Sequence, residues 1–361
     1  MTDEPLLQIR NLTKTFTVGK GQELVAVSNV SLDLREGETL GLVGESGSGK
    51  TTLGRVVLRL TEPDTGTVRF EGIDLLALAG EPMRRMRSKM QIVYQDPMLG
   101  FNPRMRVRDI ISEPLRLHET LSRTELQKRV MEVLELADLD PRVLSERPGA
   151  IRKAEQQQVA IARAIATGPR FIVLDEPTGL LDLSVSIHII GILRRLQEEQ
   201  KIAYIFISHD LSAVRAISHR LAIMYLGQLV ETGPIEDVFA RPTHPYSEAL
   251  LSSVLLPDPK TTRQRLRLSG EIPSPINLPP GCPLAPRCPL VEERCTGGPP
   301  PLVAIRGNGE SGQPSWWSTC FPLSDNEENL DNWYAIMQEH ESTETEELRA
   351  AIAAARTENE G

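Results

Sequence analysis

The sequence predicts an α/β fold built around a parallel sheet, and three observations carry the prediction. The apolar runs "TLGLVG" (39–44), "FIVLDE" (171–176) and "AYIFISHD" (203–210) are continuous rather than alternating, as in strands buried on both faces. Each run gives way to polar residues, which places those groups at the carboxyl ends of the strands, where open α/β sheets bind their ligands. Helical patterns lie between the runs: "VSIHIIGILRRLQEEQ" (185–200) sets Ile189, Leu193 and Leu196 along one face and ends in charges.

The remaining elements follow in chain order. Ahead of the first run, "LLQIRNLTKTFTV" and "AVSNVSLDLREG" have short strand character with turns between them, and predict a small antiparallel sheet beside the parallel core. From about residue 105 to 165 the pattern is mainly helical and lacks strand alternation. Beyond about residue 255 Pro, Gly and Cys become frequent, as in "EIPSPINLPPGCPLAPRCP", which marks a loop-rich appendage.

Composition excludes several classes of function. At 361 residues the chain is long enough for one large domain with an appendage, or for two domains. No apolar run approaches the ~18 to 20 residues that span a bilayer, and "MTDEPLLQIRNLTK" lacks a basic segment followed by an apolar core, so no secretory signal is expected. The net charge of -9 is concentrated at residues 325–361, where eleven acidic residues face only Arg349 and Arg356. The rest is near neutral, with no basic footprint for nucleic acid. That tail is expected to be solvated, with a possible short helix at "EELRAAIAAAR" (346–356).

"GESGSGKT", Gly44 to Thr51, matches the P-loop pattern directly after an apolar strand. Its Gly44, Glu45, Ser46, Gly47, Ser48 and Gly49 are expected to wrap phosphate with backbone N–H groups, the glycines sparing a Cβ clash. Lys50 would reach the β- and γ-phosphates and Thr51 would ligate Mg²⁺, with Thr52 next in the helix. In "FIVLDEP", Asp175 ends the strand and can hold Mg²⁺ through water. Glu176 is the candidate to orient the attacking water and take its proton.

With these motifs in order, the chain resembles the ATP-binding subunit of an ABC transporter over residues 6 to 250. The resemblance implies a RecA-like P-loop NTPase core with an antiparallel β subdomain and a helical subdomain at about 98–165. It also implies an ABC-type domain over 1–255, a small Cys-containing domain over 256–324 and the acidic tail over 325–361. Phe16 in "TKTF" matches the aromatic that stacks on adenine, and Gln95 in "IVYQDP" the glutamine that touches Mg²⁺ and senses the membrane subunit. His209 in "FISHD" matches the switch histidine on the γ-phosphate. Asp182 in "GLLD" lies in a loop that usually reads S-A-L-D, so Gly179 and Leu180 depart from the family.

Family members close head to tail, each ATP lying between one P-loop and the other subunit's L-S-G-G-Q signature. Aligned on "VAIARA", that position reads Ile151-Arg152-Lys153-Ala154-Glu155. Long side chains obstruct the close approach that small residues give a phosphate at a helix N-terminus, the serine donor is gone, and Glu155 is expected to repel the anion. The resemblance implies that this loop serves the partner's ATP, while Lys50, Asp175, Glu176 and His209 serve the chain's own. The expectation is therefore an asymmetric heterodimer with a second, non-identical ATPase subunit. A regulatory subunit with little hydrolysis, a partly inactive copy and a soluble non-transport ABC ATPase are the alternatives.

"RPTHPYSEALLSSVL" (241–255), "FNPRMRVRDIISEPL" (101–115) and "GEIPSPINLPPGCPLAPRCP" (270–289) resemble the oligopeptide/dipeptide group of ABC importers. That implies two membrane-spanning permease subunits, an extracytoplasmic binding protein and a peripheral place on the cytoplasmic face of the membrane. Cys282, Cys288, Cys295 and Cys320, spaced C-x5-C-x6-C-x24-C, suit tetrahedral Zn²⁺ or a [4Fe–4S] cluster. The resemblance favours the cluster. Trp316 and Trp317 are expected to pack the small domain.

Overall fold

A computed structural model describes residues 4–19, 21–252, 266, 268–276, 278, 281–308, 314–324, 330, 333, 336 and 337. The short helix expected at 346–356 lies outside them. Contacts divide the chain into two compact units, residues 1–16 with 25–220 and residues 17–24 with 221–361.

The first unit holds most of β1 (Leu7–Val18) and β2 (Gln22–Leu34), whose residues 17–24 fall in the second, and then β3 (Thr39–Val43), α1 (Lys50–Val57), β4 (Thr65–Phe70) and β5 (Ile73–Asp74). Strands β2, β1, β4 and β5 form one sheet in that order, with β1–β4 and β4–β5 antiparallel. Next come α2 (Gly80–Lys89), β6 (Met90–Val93), α3 (Val107–His118), α4 (Arg123–Leu136) and α5 (Lys153–Ile165). β7 (Phe171–Asp175), α6 (Leu183–Gln200), β8 (Ala203–Ile207) and α7 (Leu211–Ile217) complete the unit.

The parallel strands run in the order β3-β8-β7-β6. Every residue of β3, β7 and β8 is buried, which is why those strands read as unbroken apolar runs. Helix α6 buries Ile189, Leu193 and Leu196 on the stripe its periodicity foretells, and Tyr204 of β8 donates its hydroxyl to the Leu193 carbonyl at 3.2 Å. Asp182 starts α6 by accepting the Val185 N–H at 3.0 Å. Ser122 and Glu125 close a reciprocal cap on α4.

The strand register decides where the chemistry gathers. Leu42 of β3 and Asp175 of β7 both lie level with Ile207 of β8, and Leu174 lies level with Val93 of β6. The segments following all four strands therefore leave the sheet along one edge. The glycine loop, Glu176, His209 and Gln95 all come from these segments.

The second unit holds β9 (Arg220–Tyr225), β10 (Gln228–Pro234), α8 (Ile235–Ala240) and α9 (Pro245–Leu251). It continues through β11 (Leu302–Asn308), β12 (Pro314–Thr319) and α10 (Phe321–Ser324). Strands run in the order β11-β12-β10-β9, with β11–β12 and β10–β12 antiparallel. The hairpin β11/β12 is more regular than the loop-rich texture of the appendage suggests. Its short apolar and aromatic runs are diluted by the Pro and Gly around them. Leu290, Val303, Cys320, Leu323, Trp333 and Met337 form a local core.

Candidate functional site

The glycine loop bends back from β3 through left-handed residues: Gly47 has φ 80° and Gly49, the residue before α1, has φ 104°. A side chain is strained at such angles, so glycine is the residue that lets the loop close. Lys50 Nζ crosses the loop it follows, donating to the carbonyls of Gly44 and Glu45, both at 2.8 Å, and to Ser48 Oγ at 3.3 Å. Burial lowers the Lys50 pKa, and the carboxylates of Glu176, Asp175 and Glu45 oppose that shift.

Thr51 donates its hydroxyl to Asp175 Oδ1 at 2.9 Å. Burial raises the Asp175 pKa, against the Thr51 hydrogen bond. A divalent cation beside it would reverse that balance. Hard oxygen donors of this kind, a hydroxyl and a carboxylate in contact, fit Mg²⁺ held together with phosphate oxygens.

Glu176 sits at the centre of a second cluster. Its φ of 50° is unusual for a side-chain-bearing residue, and its N–H donates to the Ile207 carbonyl at 2.9 Å, fixing the turn to β8. Gln95 Nε2 donates to Glu176 Oε2 at 2.7 Å, and His209 Nδ1 lies 3.2 Å from the same oxygen. Gly179 leaves room for this arrangement: a Cβ there would stand 3.1 Å from Glu176 Oε2. The departure from the family pattern at Gly179 thus borders directly on the carboxylate. Asp182 is occupied by its cap and by the Ser184 hydroxyl at 2.7 Å. Phe16 lies in β1 with 39% of its surface exposed and the Lys14 amino group 5.4 Å from its ring centre. The ring is open to stacking, and Lys14 had no sequence signal.

The altered signature opens α5. Arg152 is the extended residue before the helix, followed by Lys153, Ala154 and Glu155. Glu155 is buried, at 6% exposure, and does not project as a bare anion. Its Oε2 accepts the Arg152 N–H at 2.9 Å, while its Oε1 takes the guanidinium of Arg152 at 2.9 Å and of Arg142 at 2.8 Å. The Arg152 hydrogen bond, aided by Arg142, holds the Glu155 carboxyl down at about 2. The expected repulsion of phosphate is corrected by two arginines, of which Arg142, thirteen residues away, carried no signal in the sequence. The Arg152 side chain remains 76% exposed.

In the second unit Cys282, Cys288, Cys295 and Cys320 all line one small cavity, joined there by His244. Burial raises the thiols of Cys282 and Cys320, and pushes Cys288 up to about 12. Four thiols are, by residue type, the donor set that Zn²⁺ or an iron–sulfur cluster takes. Among the described residues, though, no group of three or more His, Cys, Asp or Glu side chains is close enough to hold a metal ion. Trp316 packs, as expected, but it also donates Nε1–H to the buried Glu231 at 3.0 Å.

The ABC transporter family profile matches residues 27–179, and that of the oligopeptide/dipeptide transporter C-terminal region matches residues 230–295. The "Probable peptide ABC transporter ATP-binding protein" of Sinorhizobium fredii is 43% identical over 308 residues, covering 84% of this chain and 87% of that protein. An oligopeptide transport ATP-binding protein of Salmonella typhimurium is 40% identical, covering 82% of this chain and 92% of its own length. Among solved structures, the dimeric post-hydrolysis ATP-binding cassette bound to ADP and Pi is similar with a TM-score of 0.59 at 29% identity, over 63% of this chain and 98% of that one. Relatives at 40% and 43% identity over more than four-fifths of the chain, together with the two family profiles, show that the chain belongs to the ABC transporter ATP-binding proteins, in the group with the oligopeptide/dipeptide transporter C-terminal region.

Proposed function

We propose that this chain is the ATP-hydrolysing subunit of an ABC importer for peptides or related small solutes, working beside a second, non-identical ATPase subunit. The observation that carries the catalytic part is the Glu176 carboxylate, held between Gln95 and His209 beside the Thr51–Asp175 pair. Phosphoryl transfer asks mainly for positioning and charge neutralisation. The glycine loop and Lys50 would hold the β- and γ-phosphates, and Phe16 the adenine. Glu176 would orient a water for in-line attack and accept its proton as the new P–O bond forms. The bond from the γ-phosphorus to the bridging oxygen then breaks, leaving ADP and phosphate. Thr51, Asp175 and Gln95 would hold Mg²⁺ with the nucleotide, and the ion would supply charge neutralisation. His209 would contact the γ-phosphate once Glu176 lets it turn.

Asymmetry is supported by the signature residues. Arg152 and Lys153 place long cationic side chains where the family has a serine and a glycine, so the partner's ATP would meet charge without the usual backbone approach. The permease pair and the binding protein follow from the peptide-transport relatives. Leu99, 74% exposed on the turn after Gln95, offers an apolar contact on the loop assigned to sensing the membrane subunit. Among the described residues no helix is long and apolar enough to cross a membrane; a peripheral place at the cytoplasmic face would follow from the transporter relatives. The four cysteines would hold a [4Fe–4S] cluster, with Zn²⁺ the alternative.

Glu176→Gln keeps the hydrogen-bonding shape and removes the base. In the assembled complex, steady-state turnover should fall by about 10² or more while ATP still drives the ATPase subunits together. Unchanged turnover would assign this chain a purely regulatory role.

A further inference from the structure

Lys14 and Phe16 stand two residues apart on β1 and so project from the same face of the strand. The Lys14 amino group lies over the Phe16 ring, 5.4 Å from its centre, inside the ~6 Å reach at which a cation is drawn to the negative face of an aromatic ring. That attraction alone is too weak to still a lysine, whose long stem gives up rotamer freedom when it is held. Here the ammonium has an anchor.

The anchor is Asp64. Its Oδ1 accepts the Lys14 ammonium at 2.7 Å, and its Oδ2 accepts the Thr15 N–H at 2.6 Å and the Thr15 hydroxyl at 2.8 Å. One carboxylate thus holds both the cation over the ring and the residue between Lys14 and Phe16. Asp64 is itself fixed: its N–H donates to the Thr13 carbonyl at 2.9 Å, and the next residue, Thr65 of β4, pairs with Thr13 of β1. Gly66 lets the two strands approach this closely, since a Cβ there would stand 2.7 Å from the carbonyl oxygens of Arg10 and Asn11. The outcome is a lysine side chain only 16% exposed beside an aromatic ring that stays open to solvent.

We propose that Lys14 is a positioning residue for nucleotide binding: fixed by Asp64, it holds the Phe16 ring by one face and leaves the other as the platform on which the purine base stacks. The proposal rests on reading Phe16 as the aromatic that takes the base. A ring already held in place has less freedom to lose when the base arrives. The contact acts on the base and leaves the phosphates to the glycine loop and Lys50, so affinity for a complete nucleotide depends on it and affinity for a bare phosphate chain does not.

ADP carries both a base and phosphates, and inorganic tripolyphosphate carries phosphates alone. Dissociation constants of the two, each with Mg²⁺, are measured by calorimetry on the full-length chain and its variants. Lys14→Met keeps the length and apolar stem of the side chain and removes the charge. It should weaken ADP binding about two- to fivefold, the worth of an exposed cation–ring contact, and leave tripolyphosphate binding unchanged. Lys14→Arg keeps a cation over the ring and should bind ADP as the unmodified chain does. Unchanged ADP affinity in Lys14→Met, an equal loss for both ligands, or no recovery in Lys14→Arg overturns the positioning role. Phe16→Ala reports on the reading beneath it: unchanged ADP affinity in that variant shows that Phe16 does not take the base, whatever the Lys14 variants do.

Discussion

Glu155 shows how far a residue's chemistry depends on what it touches. In the sequence it is an anion placed where a phosphate is expected. In the fold it is a buried carboxylate shared by Arg142 and Arg152 and capped onto the start of α5. Its carboxyl is held at about 2 rather than the usual 4.5. A depressed carboxyl contributes stability that is full above the unfolded value and fades as pH falls from about 4.5 through about 2. The acid unfolding of the unmodified chain should therefore contain a component in that window that Glu155→Gln lacks, read by fluorescence or circular dichroism against pH. The candidate catalytic residues were legible for a different reason. Asp175 ends a buried strand, Glu176 and His209 follow one within two positions, Lys50 and Thr51 open the helix after the glycine loop, and the sheet's own geometry brings strand ends together. Arg142 has no periodic relation to Glu155, so nothing short of the fold could pair them.

Among the elements, β3, β7 and β8 were readable because burial on both faces leaves only apolar residues to choose from. α6 was readable because one face had to be apolar. The hairpin β11/β12 was not, since its register depends on β10, some eighty residues earlier, and its strands sit in a Pro- and Gly-rich stretch. Strand β10 also carries the least expected group in the second unit. Glu231 is fully buried, burial raises its pKa, and hydrogen bonds from Trp316 and Thr243 oppose that rise, while the His244 N–H also donates to it. Glu231→Ala would leave several of those donors without an acceptor, at a cost on the order of 3 kcal/mol. The expected outcome is a lower urea midpoint for loss of Trp316 fluorescence, with the nucleotide-binding unit unfolding at its usual concentration.

For the whole molecule, the proposed pairing turns on which half of each shared site this chain would supply well. It brings a complete set of P-loop, Mg²⁺ and Glu176 groups, and a signature loop of Arg152, Lys153, Ala154 and Glu155. Alone, the purified chain should hydrolyse ATP slowly. Mixing it with a related ATPase subunit whose signature has small residues should raise turnover by about tenfold or more, measured as phosphate release. Fast turnover by identical copies would contradict the asymmetric arrangement.

Glu231 and Trp316 meet across 85 residues of chain, and that separation imposes an order on synthesis. When β10 leaves the ribosome, the strand that will flank it does not yet exist, so one edge stays open and the future buried carboxylate stays in water. Contacts this distant in sequence form late. A transcript cut short before codon 316 would yield a protein with every nucleotide-binding motif present and an uncovered strand edge, the kind of surface on which chains aggregate.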